Sequence, residues 1–190
     1  MTAQHTLIIG GQKSGKSRHA ELVARDWLAA AATHRACLIA TATAHDAEMA
    51  ARIARHQHDR AERVPGLAMH EEPLALPLAI SRLSSPDTLL VVDCLVLWLT
   101  NLLMPADEAQ ACNPVEVAAK VADLQLALHN AAGPVVLVSN EIGLGVIPMQ
   151  AAVRQFVDEL GLLNQAIART CPQVFLMAAG LPLTLKSIKA

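Results

Sequence analysis

Residues 10–17, GGQKSGKS, carry the most legible chemistry in the chain. Gly10, four residues, then Gly15, Lys16 and Ser17 match the phosphate-binding loop of nucleotide enzymes without a mismatch. Glycines let the backbone amides of such a loop converge on phosphate oxygens, and the helix that follows presents its positive end to them. Gly11, Gln12, Lys13 and Ser14 complete the cradle. Lys16 can reach the β- and γ-phosphates, and the Ser17 hydroxyl can ligate Mg²⁺. A Gly-rich turn without function is a poor alternative, because strand, loop and helix patterns follow in the required order.

Three further groups bear chemistry. Asp93 ends the apolar run of TLLVVDCLVLW, where such enzymes place a metal-side carboxylate; aspartate also suits a helix N-cap there, and both roles stay open. Asn140 and Glu141, in SNEIGLGVIP (139–148), end another apolar run beside Gly143 and Gly145. They suit the substrate side of a small-molecule kinase or nucleotidyltransferase, or equally a capped turn. The stretch AARIARHQHDR (50–60) sets His56 and His58 among arginines. It reads either as a solvated basic helix face or as the home of a nucleophile.

The elements that must position these residues alternate in type. The runs 6–10, 36–40, 88–92, 134–139 and 173–178 are continuously apolar, as strands buried on both faces are. Residues 181–187 add an edge strand, since Pro182 argues against a central one. Asn113, Pro114 and Glu116 predict a capped helix start, and Gly133 marks that helix's end. Phe156, Leu160, Leu163 and Ile167 form one buried helical stripe. The β-α-β-α order predicts an α/β fold, a doubly wound, mainly parallel sheet with helices on both faces. With 190 residues, no internal repeat and no linker, one domain over 1–190 is expected.

Composition excludes several classes. The net charge is −2 and aromatic residues make up only 2 %, which disfavours a nucleic-acid partner. The four cysteines form no CxxC pair and read as buried reduced thiols. No apolar run reaches the ~20 residues that span a bilayer. The N-terminus lacks a signal-peptide pattern, so a soluble cytoplasmic protein without membrane insertion is expected. A GTPase switch is disfavoured because VSNEIG lacks the guanine-reading Lys and Asp.

If residues 46–62 form one helix, Asp46 caps it and Glu48 sits in its first turn. Arg52 and Arg60 then bracket His56 at i±4, with Met49 and Ile53 on the same side. His58 points about 200° away. A nucleophilic histidine must be neutral, and neighbouring cations favour that form while offering donors to a phosphoryl group. Asp59, at i+3, could orient the other ring nitrogen. His5, His34 and His129 read as solvated, and His19 as helix surface or packing.

The segments GGQKSGKSRHAE (10–21), DAEMAARIARH (46–56), DCLVLWLTNLL (93–103), SNEIGLGVIP (139–148) and RQFVDELGLLNQ (154–165) together resemble one family. It is that of the bifunctional adenosylcobinamide kinase / adenosylcobinamide-phosphate guanylyltransferases of cobalamin biosynthesis. The resemblance spans nearly the whole chain in order. It implies a RecA-like P-loop NTPase fold, a homotrimer, Mg²⁺ as cofactor, and adenosylcobinamide, ATP and GTP as partners. It also implies phosphorylation of adenosylcobinamide and then GMP transfer through a GMP-histidine intermediate. The family's R-I-x-x-H segment falls on Arg52, Ile53, Ala54, Arg55 and His56, which makes His56 the nucleophile. Residues 10–17 would hold triphosphate. Thr41, Ala42, Thr43, Arg52, Gln57, His58, Asp59, Arg60, Glu71 and Asp93 would add nucleotide contacts. Before Glu71 the chain reads RAERVPGL, without the tryptophan common in the family. The alternatives are a P-loop kinase of another small molecule and a non-catalytic nucleotide-binding regulator.

Overall fold

A computed structural model of the protein describes residues 4–43, 60 and 62–188. Its elements run β1 (Thr6–Gly10), α1 (Lys16–Ala30), β2 (Arg35–Ala40), β3 (Leu67–Glu71), α2 (Leu76–Leu83) and β4 (Thr88–Asp93). Then come α3 (Leu95–Leu103), α4 (Pro114–Asn130), β5 (Val135–Val138), α5 (Ala151–Thr170), β6 (Gln173–Ala178) and β7 (Leu181–Ser187). The strands make one seven-stranded sheet in the order β3-β2-β4-β5-β1-β6-β7. Every pairing is parallel except β6 with β7. Strand β5 lies between the phosphate-loop strand and the Asp93 strand, so the α/β, RecA-like P-loop expectation holds.

The apolar runs are continuous because alternate residues feed two separate cores. Leu7, Leu90, Val92, Val135 and Leu137 pack beneath α2, α3, α4 and α5, around the fully buried Trp98. Ile8, Leu89, Val91, Val136 and Val138 point to the other face, where Ala20 and Ala24 of α1 and Val64 cover them. A strand buried on both sides has no polar face to reveal its period.

Local signals hold in most places. Asn113 accepts from the amides of Val115 and Glu116, and Glu116 accepts from the Asn113 amide, a complete capping box. Leu160, Leu163 and Ile167 are buried on α5, with Phe156 packed against them. All four cysteines are free, but only Cys171 is buried as expected; Cys37, Cys94 and Cys112 are half-buried. Residues 181–187 do form an edge strand. Strand β3, by contrast, is not among the expected strands: its apolar run is only Leu67, Ala68 and Met69, and four of its five residues are exposed at the opposite edge of the sheet. Among the described residues, no helix is long and apolar enough to cross a membrane.

Two expectations are corrected. Helix α4 ends at Asn130 with an extended Ala131, so Gly133 does not terminate it. A Cβ on Gly133 would lie 2.1 Å from the Ser85 carbonyl oxygen and 2.5 Å from that of Thr88. Glycine is needed there because two backbones cross in contact. His5 is not solvated: it is 6 % exposed, accepts from the Val135 amide at Nδ1, and donates from Nε2 to the Leu128 carbonyl. His34 is also held, stacked on Trp27 at 3.9 Å, whereas His129 is exposed as expected.

Gly133→Ala is expected to cost about 1–3 kcal/mol, the range for forced overpacking, measured by urea unfolding. Burial lowers the pKa of His5 below 6.5, against the opposing pull of its bond to Leu128. The unfolded chain therefore binds more protons, so His5 contributes full stability above pH 6.5 and loses it as pH falls through the folded value. Unfolding titrations from pH 8 to 5 should show a shallower acid-side decline in His5→Gln.

Candidate active site

The parallel strands deliver their C-terminal ends to one rim. Ala40 pairs with Asp93, and Asp93 with Val138, so these three residues stand level across β2, β4 and β5. All three line a cleft of about 530 Å³, together with residues 12–18, Arg60 and Asn140. Such a rim is where α/β sheets bind ligands.

The phosphate loop leaves β1 at Gly10 and enters α1 at Lys16. Gly15 adopts φ 101°, and a Cβ there would stand 3.1 Å from the Gly180 Cα. Residues Ala179 and Gly180, both at positive φ, form the tight β6–β7 turn, and the Gly180 amide donates to the Ser14 carbonyl at 3.0 Å. The last hairpin thus props the loop from behind. Lys16, 7 % exposed, donates to the Gly11 carbonyl at 2.7 Å. Burial lowers the Lys16 pKa, while the neighbouring Cys94, when ionised, and Asp93 oppose that shift.

Asp93 joins three elements. Its Oδ1 accepts from the Ser17 hydroxyl at 3.3 Å, and its Oδ2 accepts from Arg60 Nη2 at 2.7 Å. It does not cap α3, whose N-cap is Cys94. The Asp93–Cys94 peptide is cis. Burial, reinforced by the charge of Asp93, pushes the Cys94 thiol up to about 11, so it is protonated at neutral pH and no nucleophile. Ser17 and Asp93 offer the hard oxygen donors that suit Mg²⁺. Among the described residues, no group of three His, Cys, Asp or Glu side chains could hold a metal unaided. A metal here must draw its other oxygens from phosphate and water.

The remaining expected residues divide. Ala42 lines the cleft, but Thr41 and Thr43 do not. Thr41 is fully buried; its hydroxyl donates to the Cys94 carbonyl and accepts from the Cys94 amide, and its own carbonyl accepts from Asn101. It braces the end of β4 from behind. Glu71 closes β3 at the same rim, yet outside the cleft lining. Asn140 lines the cleft, and Asn164 Nδ2 donates to its carbonyl at 2.9 Å. The Glu141 carboxylate accepts from the Gly143 amide, so it caps its own turn. His19 packs edge-on against Phe175. Arg52, His56, Gln57, His58 and Asp59 lie outside the described residues, as does the expected Asp46 cap. Arg60, Glu62 and Arg63 are on helical backbone.

Glu21 and Arg63 were not foreseen. Glu21, 3 % exposed on α1, lies beside Arg60, Arg63 and Arg18. An acid between buried Ala20 and Ala24 is the one sequence signal that marks it.

The family model described as cobinamide kinase / cobinamide phosphate guanyltransferase matches residues 6–185. The chain belongs to this family. As a cobinamide kinase / guanyltransferase family member it is 45 % identical, over 181 residues, to the bifunctional adenosylcobalamin biosynthesis protein CobP of Pseudomonas aeruginosa, covering 95 % of this chain and 96 % of that protein. It is 31 % identical over 189 residues to the CobU protein of Escherichia coli, covering 95 % and 98 %. Its fold resembles a Pyrococcus horikoshii protein, with a TM-score of 0.57, 11 % identity and coverage of 98 % of this chain and 87 % of that one. The flagellar accessory protein FlaH of Methanocaldococcus jannaschii gives 0.53 at 10 % identity, covering 97 % and 78 %. These last two likenesses concern the fold alone.

Lys16→Ala is expected to weaken nucleoside triphosphate binding at least about tenfold, or 1.4 kcal/mol, in a calorimetric titration. A folded variant that binds as the wild type does would show that the ammonium is not a phosphate ligand.

Proposed function

We propose that this chain, as one catalytic domain, performs both activities of its family in sequence. It phosphorylates the aminopropanol hydroxyl of adenosylcobinamide with ATP or GTP, then transfers GMP from GTP to that phosphate. One arrangement supports the reading best: Ser17, Asp93 and Arg60 in continuous contact at the mouth of the phosphate-loop cleft.

In the first step the substrate hydroxyl oxygen bonds to the γ-phosphorus, the bond to the departing nucleoside diphosphate breaks, and the hydroxyl proton is released to solvent. Loop amides and Lys16 neutralise the charge that gathers on the phosphoryl oxygens, and Ser17 with Asp93 would hold a Mg²⁺ that would supply further positive charge there. In the second, an imidazole nitrogen of His56 attacks the α-phosphorus of GTP. A P–N bond forms, a P–O bond breaks and pyrophosphate leaves. A phosphate oxygen of adenosylcobinamide phosphate then attacks the same phosphorus, frees His56 and yields adenosylcobinamide-GDP. Arg60, and Arg52 by its spacing, supply donors to the non-bridging oxygens during both displacements. Asn140 suits the substrate side. The exposed Leu181, Leu183 and Leu185 along β7 support a homo-oligomer, in which that edge is covered.

Incubation with Mg²⁺ and GTP labelled at the α-phosphorus should label the protein through an acid-labile, base-stable bond. His56→Ala should abolish that label and His58→Ala should keep it. The reverse pattern would move the nucleophile to His58. Phosphorylated cobinamide without protein label would indicate a kinase alone.

A further inference from the structure

We propose that Glu21 is a positioning residue for guanylyl transfer, acting through Arg60; this rests on the two-step reading above. Glu21 follows Ser17 by one helical turn on α1 and sits on the face that Ala20 and Ala24 bury against the sheet. A lone carboxylate there would carry a large desolvation cost, so its partners define what it is for. Its Oε1 accepts from Arg63 Nη2 at 3.0 Å and from Arg60 Nε at 3.4 Å. Its Oε2 lies 2.9 Å from Arg63 Nε and 3.7 Å from Arg18 Nη1, charge contacts that fall short of hydrogen bonds.

Arg60 is therefore gripped at two points. Nε faces Glu21 on α1, and Nη2 donates to Asp93 at the end of β4. Two contacts on one planar guanidinium fix its plane as well as its position. Nη1 has no hydrogen-bond partner among the described residues, and Arg60 lines the cleft. That geometry presets a donor for a phosphate oxygen. Glu21 also holds Arg63, three residues further along the chain, so this stretch is tethered twice. Arg60 follows His56 by four residues, which makes the tether an anchor for the chain that carries the nucleophile.

The kinase step shares Asp93 with this chain of contacts but draws its phosphate donors from elsewhere. Lys16 and the loop amides are set by backbone bonds, Ser14 to Gly11 and Gly180 to Ser14, with no part for Glu21. Loss of Glu21 should fall unevenly on the two steps. Stability alone does not call for an acid at this position, since an apolar side chain among Ala20, Ala24 and Val64 would need no ion partners.

The test uses the full chain and three variants, Glu21→Gln, Arg60→Ala and the double variant. Two rates are compared: single-turnover protein labelling from α-labelled GTP, and phosphorylation of cobinamide. In Glu21→Gln the labelling rate constant should fall about 10- to 100-fold, with the GTP concentration for half-maximal rate little changed and the kinase rate within about threefold of wild type. Arg60→Ala should lose at least as much, and adding Glu21→Gln to it should cost nothing further. Melting curves for each variant separate this from lost folded protein, and the glutamine preserves side-chain volume. Wild-type labelling in Glu21→Gln, equal loss in both steps, or losses that multiply in the double variant would overturn the assignment. Absence of label in the wild type would overturn the two-step reading itself, and with it this one.

Discussion

The Asp93 carboxylate is the contact on which the rest of the site depends. One oxygen receives the Ser17 hydroxyl at the start of α1, and the other receives Arg60. Both side chains are mostly shielded, Arg60 at 13 % and Asp93 at 18 % exposure. In such surroundings the removal of one partner costs far more than an exposed ion pair would suggest, typically about 3–5 kcal/mol. The carboxylate thus joins the phosphate loop, the sheet and the chain that leads from His56.

Behind that contact stands a sheet whose parallel register leaves little freedom. Asp93 reaches the rim because β4 is flanked by β2 and β5, each paired in register and each buried on both faces. Thr41 secures the turn into α3 with two hydrogen bonds from one hydroxyl. Asn101 continues that brace to the backbone of Thr41 and Pro73. The cleft is shaped less by the residues that line it than by a layer of small polar groups beneath it.

The central strands, the capping box of α4 and the phosphate loop were legible because each has a local signature. Apolar runs, Asn-Pro-x-Glu and the glycine spacing all express themselves within a few residues. What escaped depends on distant partners. Strand β3 has only a three-residue apolar run, Leu67 to Met69, and no alternating face, and it pairs along the edge that β2 offers. His5 looked solvated because its two backbone partners lie on α4 and β5. Gly133 looked like a helix stop, while its true neighbours are Ser85 and Thr88. In the site, Thr41 and Thr43 were expected to touch nucleotide by family likeness, and Thr41 proves to be a brace. Glu21 was hidden because a single charge on a helix says nothing of the arginines that fold onto it.

The bond from Gly180 to Ser14 has a consequence for how the protein is made. A chain emerges from the ribosome N-terminal side first, and a domain folds as a unit. Of the two partners the phosphate loop is made before the turn that props it, which belongs to the β6–β7 hairpin. Until that hairpin is synthesised and paired, the loop has its sequence but lacks its backing.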